Sequence, residues 1–199
     1  MSWRAVARAV IGLLLVGAIG LAEARDAAPG TSTPLAATGT VEALFTPGDN
    51  IEARVVEAIS RARQEILVHA FSFTSRKLAD ALIAAHRRGV RVEITSDREQ
   101  TERTAGEKLS DLARAGVPVW FEQGKHPSHL AHNKVMVIDG VSRAPSVLTG
   151  SYNWTVAAQR YNSENLLILV GNRELAQQYR ANWQKLREGA QRYLALKPS

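Results

Sequence analysis

Residues 132–139 read HNKVMVID. On an extended strand the side chains alternate faces, so His132 and Lys134 share a side, about 7 Å apart along the chain. An imidazole beside a fixed ammonium suits an anionic substrate. The ammonium holds the anion and depresses the pKa of its neighbour, which keeps a ring nitrogen unprotonated and nucleophilic. Asp139 stands seven residues on, an odd offset, and suits a structural or indirect acceptor better than a partner on that face. The segment TGSYNWT, 149–155, adds Gly150 for close backbone approach, with Ser151 and Asn153 as donors for the non-bridging oxygens of a phosphate. In NSEN, 162–165, Glu164 could orient His132 by accepting from its other ring nitrogen. His126, His129 and His132 recur every third residue, which opens a metal-ligand reading. The carboxylates usual beside a catalytic metal are missing nearby, so neither metal nor cofactor is expected.

Strand-length apolar runs alternate with helical patterns around these segments. Strands are expected at Val41–Phe45, Glu65–Phe71, Val90–Thr95 and Val117–Phe121. Helices are expected after the caps Asp49 or Asn50 and Ser75, and over Thr104–Ala115. The second half supplies strands at Ala131–Ile138, Ser146–Thr149 and Glu164–Val170. A final helix, capped by Asn172, carries Leu175, Tyr179, Trp183, Leu186 and Ala190 as a packing stripe. The alternation predicts one α/β domain over 41–199, with a mixed, largely parallel sheet flanked by helices on both faces.

The composition bounds what such a domain can do. The chain has 199 residues, 25 Lys+Arg against 19 Asp+Glu, and no Cys. It can hold neither a disulfide, nor a thiolate nucleophile, nor a cysteine-zinc site. The net charge of +6 favours an anionic partner such as nucleic acid or an acidic membrane surface. Arg4 and Arg8, the apolar run Val10–Ala22 and the small residues Ala22 and Ala24 predict a secretory signal over 1–24, hence a periplasmic or secreted protein. The run is too short for a membrane span, which needs about 20 apolar residues. With the signal removed, 23 basic and 18 acidic residues remain, so the basic balance belongs to the folded part. Residues 25–40, small, polar and proline-bearing, read as a flexible tether.

Taken together, the motifs resemble the phospholipase D superfamily. His132, Lys134 and Asp139 match its H-x-K-x4-D signature, Gly150, Ser151 and Asn153 its following glycine-serine segment, and Asn162–Asn165 its downstream glutamate element. HAFSFTS, 69–75, and the helix ADALIAAHRRGV are similar to the small Nuc-type bacterial endonucleases and to Zucchini-type phosphodiesterases. The resemblance runs from about Val41 to Trp183. One departure is visible: ten residues separate Asp139 from Gly150, where the family usually has six. The resemblance implies a phospholipase D/nuclease-like fold and a catalytic set of His132, Lys134, Glu164 and Asp139. It implies that His132 forms a covalent phosphohistidine and that a second His132 protonates the leaving group. Lys134, Ser151 and Asn153 would hold the phosphate, and no metal is needed. One motif copy per chain then implies a homodimer with the site across its two-fold interface.

The substrate stays open between nucleic acid and phospholipid. Arg87, Arg88, Arg91, Arg98 and Arg103 could line a nucleic-acid groove. Phe71, Phe73, Trp120, Phe121 and Trp154 could instead meet acyl chains. A non-catalytic DNA-binding protein is a third, more distant reading.

Overall fold

The computed structural model describes residues 33–104, 106–123, 126 and 128–194. The expected signal and the first part of the expected tether lie outside them. Eight strands form one sheet: β1 (Thr40–Thr46), β2 (Glu65–Ala70), β3 (Arg91–Ser96), β4 (Val119–Phe121), β5 (Lys134–Ile138), β6 (Ser146–Gly150), β7 (Glu164–Val170) and β8 (Gln191–Arg192). The helices are α1 (Ile51–Arg61), α2 (Arg76–Arg87), α3 (Arg98–Arg103), α4 (Glu107–Arg114), α5 (Val156–Arg160) and α6 (Arg173–Glu188).

Strand order is β1-β7-β6-β5-β2-β3-β4-β8. The sheet is mixed, but its parallel part is confined to β2, β3 and β4; every other neighbouring pair is antiparallel. The expected predominance of parallel pairing is therefore corrected. Helical crossovers return the chain parallel in the first half, whereas the short β5–β6 link can only form a hairpin. One face packs Ile66, Val68, Met136, Leu148 and Leu166 against Ile51, Val55 and Ile59 of α1 and Leu78 and Leu82 of α2. On the other face, Trp183 and Tyr179 of α6 meet Leu67, Val135 and Val137, which explains the packing stripe of the last helix.

The caps on α1, α2 and α6 form as the side chains dictate: Asn50, Ser75 and Asn172 accept from Ala53, Leu78 and Leu175 backbone N–H groups. The helix expected over Thr104–Ala115 is α4, Glu107–Arg114, and a further helix that was not expected, α3, precedes it over Arg98–Arg103. The polar sequence REQTER has no apolar period. It is helical because Asp97 caps it and buried Thr101 bonds back to the Asp97 carbonyl. The strand expected from Ala131 begins at Lys134, because Ala131 and His132 direct their N–H groups elsewhere.

This topology gathers one set of strand ends. The carboxyl ends of β1, β2, β3, β4 and β6 lie at the same edge of the sheet as the amino ends of β5 and β7. The crevice beyond the carboxyl ends of parallel strands is where open α/β sheets place ligands.

Candidate active site

His132 stands at that edge, exposed, just before β5. Its ring packs on Phe71, at the end of β2, with centroids 4.4 Å apart. Among the described residues the imidazole makes no hydrogen bond, so neither ring nitrogen is engaged within the chain. Lys134 opens β5 and is 9% exposed. Its Nζ donates to the His132 carbonyl at 2.6 Å and lies 4.7 Å from the Phe71 ring centroid. Phe71 thus contacts imidazole and ammonium together. Burial lowers the Lys134 pKa, and the charge of Glu164 acts in the opposite sense.

Glu164 opens β7 across the same edge. Its carboxylate accepts from Ser151 Oγ at 2.6 Å and from Asn162 Nδ2 at 2.9 Å. The expected bond to His132 is absent, so within one chain Glu164 orients Ser151 rather than the imidazole. Ser151 donates its proton to Glu164 and accepts from Asn165 N at 3.0 Å. Asn153 is half-buried, with its Oδ1 unpartnered. Gly150 does permit close approach, but to β7: a Cβ there would sit 2.3 Å from the Asn165 carbonyl oxygen.

Asp139 is not brought to this cluster. It lies at the opposite end of β5, where its carboxylate accepts from the backbone N–H groups of Arg63, Gln64 and Glu65 at 2.7–3.2 Å. It also adopts a left-handed backbone, φ 52°. Its place in the expected catalytic set is corrected: the carboxylate fastens the α1–β2 turn to the sheet. The three spaced histidines do not converge either. His126 Nδ1 accepts from Ser128 N, His129 Nε2 meets Glu122 at 3.0 Å, and no group of three or more His, Asp or Glu among the described residues is placed to hold a metal.

A profile of the family described as "Cardiolipin synthase, PLD-like domain" matches residues 55–187. The chain belongs to the phospholipase D superfamily. It is 37% identical to "Phospholipase D" of Rickettsia bellii over 151 residues, 75% of this chain and 71% of that protein. It is 34% identical to "Mitochondrial cardiolipin hydrolase" of Xenopus tropicalis over 138 residues, 69% and 61% of the two chains. Among solved structures it is similar to Nuc of Salmonella typhimurium, a phospholipase D family member. There the TM-score is 0.71 at 30% identity, over 78% of this chain and 99% of that one. The protein is accordingly a phosphodiesterase of this superfamily.

Two carboxylates that the sequence did not single out hold the segment that precedes His132. Asp97, 5% exposed at the end of β3, accepts from Gln100 N at 2.8 Å and from Ala131 N at 3.0 Å. Glu122, just after β4, holds His129. Together they fasten the segment that leads into His132. Burial raises the Glu122 pKa, and the bond to His129 opposes that shift. Beneath them His69 is buried, and desolvation lowers its pKa to about 4. Its Nδ1 shares a 2.5 Å hydrogen bond with the Thr95 hydroxyl, and the neutral ring forms no ion pair with Glu122 at 3.9 Å.

Proposed function

We propose that the protein hydrolyses phosphodiester bonds of nucleic acid through a phosphohistidine on His132, without a metal, as a homodimer. The observation that carries this reading is the exposed, unbonded His132 imidazole set beside the buried Lys134 ammonium on one Phe71 ring. A His132 ring nitrogen attacks phosphorus, and the P–O bond to the leaving alcohol breaks. His132 of the partner subunit gives that alkoxide its proton. It then takes a proton from water as the water attacks phosphorus and the P–N bond breaks. The products are one alcohol and one phosphate monoester, and His132 is restored. Lys134 and Asn153 stabilise the charge that develops on the non-bridging oxygens. Export rests on the basic and apolar leader over 1–24.

The substrate reading is supported by the basic balance of the chain and by the likeness to Nuc over nearly that protein's whole length. Of the aromatic residues considered for acyl chains, Phe73, Phe121 and Trp154 are buried, while Phe71 and Trp120 are half-buried against His132 and Arg187. The expected arginine groove is also corrected. Arg88 and Arg91 lie at the opposite edge of the sheet, bonded to Ile59 O and to Glu65 and Glu93, and Arg103 pairs with Glu99. Arg98 opens α3 just after the carboxyl end of β3, at the catalytic edge, with Arg103 at the other end of that helix. A second reading, phospholipid hydrolysis, has its own observation in Leu130, 51% exposed two residues before His132. It also has the names of the Rickettsia and Xenopus relatives.

The deciding experiment offers the protein labelled DNA, labelled RNA and phosphatidylcholine vesicles, each with excess EDTA, beside His132→Ala. Nucleic acid cut, lipid untouched, and a loss of about 10³-fold or more in the variant are expected. Lipid cleavage with nucleic acid intact would overturn the substrate, and EDTA inhibition would overturn the metal-free step.

A further inference from the structure

A second feature occupies the catalytic edge, on the far side of β2 and β3. A groove of about 490 Å³ opens between α3, the end of β4 and β8. Arg98, Thr101, Phe121, Gln191, Arg192 and Tyr193 line it, with Glu102 at its rim. From β5 to β8 the strand order counts four spacings, so the groove is roughly 19 Å from His132 across the sheet.

Its chemistry is specific. The Arg98 guanidinium lies 4.5 Å from the Phe121 ring centroid, and its Nη2 donates to Gln191 Oε1 at 2.6 Å. Gln191 Oε1 accepts a second bond from Gln123 Nε2 at 3.2 Å. Tyr193 meets Phe121 edge-on at 5.2 Å, and its hydroxyl is fixed by Ser110. One guanidinium is thus held on a ring whose far side is already packed, while 43% of the Arg98 side chain stays exposed. The nearest carboxylate, Glu102, stands 4.0 Å away, beyond hydrogen-bond reach. Arg192, paired with Trp120 in the sheet, turns its guanidinium to the other face, 5.5 Å from the Trp120 ring, so Arg98 is the cation seated on Phe121.

A fixed guanidinium plane with an exposed part is a surface on which a nucleobase stacks, and the N–H donors of Arg98 not given to Gln191 meet the adjoining phosphate. Phe121 is only 4% exposed and lies beneath the Arg98 guanidinium, and the exposed large apolar side chain among the lining residues is Leu194. We propose that this groove is a distal nucleotide subsite, which binds a base and phosphate of the strand cleaved at His132. At the stacked rise of 3.4 Å per nucleotide the separation is about five or six nucleotides, and fewer for an extended strand. The proposal rests on the nucleic-acid reading above and adds to it a dependence on chain length.

The test compares the protein with an Arg98→Gln variant on bis(4-nitrophenyl) phosphate, on single-stranded dinucleotides and on 12-mers. In the parent protein kcat/KM should rise with length. In the variant the rate on 12-mers should fall about 10-fold, the loss of one stacked and neutralised nucleotide, with the two short substrates unchanged. An unaltered length dependence in the variant overturns the subsite. So does an equal loss on the small diester, which would make Arg98 a support of the fold. A parent protein that cleaves the small diester but no oligonucleotide of any length overturns the nucleic-acid reading instead.

Discussion

Lys134 carries its charge where solvent supplies little of the stabilisation. At 9% exposure its ammonium is held by one carbonyl, the face of Phe71 and the field of Glu164, and desolvation lowers its pKa from 10.5. In the proposed mechanism the protonated form binds the phosphoryl oxygens, so activity is present below the folded pKa and lost above it. The alkaline limb of kcat/KM for bis(4-nitrophenyl) phosphate should therefore fall below pH 10.5. Lys134→Arg, whose charge persists beyond pH 12, should retain less activity yet lack that limb. A limb that stays in place in the arginine variant would assign it to another group. Asp139 poses the opposite case, a motif residue whose work is structural. Asp139→Ala should cost about 3 kcal/mol in urea unfolding, because three backbone donors lose an ionised acceptor. Its kcat should stay near the parent value wherever the variant is folded; a collapse of kcat in folded protein would return Asp139 to the chemistry. His132 and Lys134 were legible because their spacing alone defines a pair. The role of Ser151 was not, since the direction of its proton depends on Glu164, thirteen residues away.

At the scale of elements, the nucleophile is held by what lies beside it in the sheet. β3 ends in Asp97 and β4 is followed by Glu122, and both reach across to the chain that enters β5. The Asp97 contact spans 34 residues, and no local pattern announces it. The same limit explains α3, a helix made by one cap rather than by periodicity, and the antiparallel half of the sheet, whose strands were legible while their pairing was not. Buried runs such as EILVHA, with all six residues buried in β2, were plain from composition. Asp97→Asn separates anchoring from folding: an amide oxygen can still cap α3, but its NH₂ now faces the Ala131 N–H. We expect kcat on bis(4-nitrophenyl) phosphate to fall about 10²-fold with KM nearly unchanged, the cost of misplacing a nucleophile by about an ångström. The thermal midpoint should drop far less than in Asp97→Ala. Equal losses of stability in both variants, with kcat preserved, would confine Asp97 to the fold.

The whole molecule is asymmetric in a way that bears on how the site is completed. α6 covers β2, β5 and β6 on its face of the sheet, and leaves β7 and β1 bare. There Val41 and Phe45 of β1 and Leu167 of β7 are 61%, 57% and 37% exposed, side by side in the antiparallel register. Tyr161, 78% exposed, stands just before Glu164 on the approach to β7. An apolar face on an edge strand next to the catalytic edge is costly to leave in water, and a two-fold partner would cover it while bringing a second His132 near the first. The chain carries one His-x-Lys pair and the proposed displacement uses two histidines, so covering this face and completing the site are the same event. Phe45→Glu with Leu167→Glu should convert a dimer to a monomer in sedimentation, with circular dichroism unchanged and activity on bis(4-nitrophenyl) phosphate lost by about 10²-fold. A second measurement needs no surface variant. If both histidines belong to one site, an equimolar mixture of parent and His132→Ala chains, allowed to exchange subunits, holds active dimers at a quarter of the total. Activity per parent chain should then fall to about half, the value for random two-fold pairing. Unchanged activity per parent chain after exchange, or a fully active monomer, would show that one chain cleaves the diester by itself.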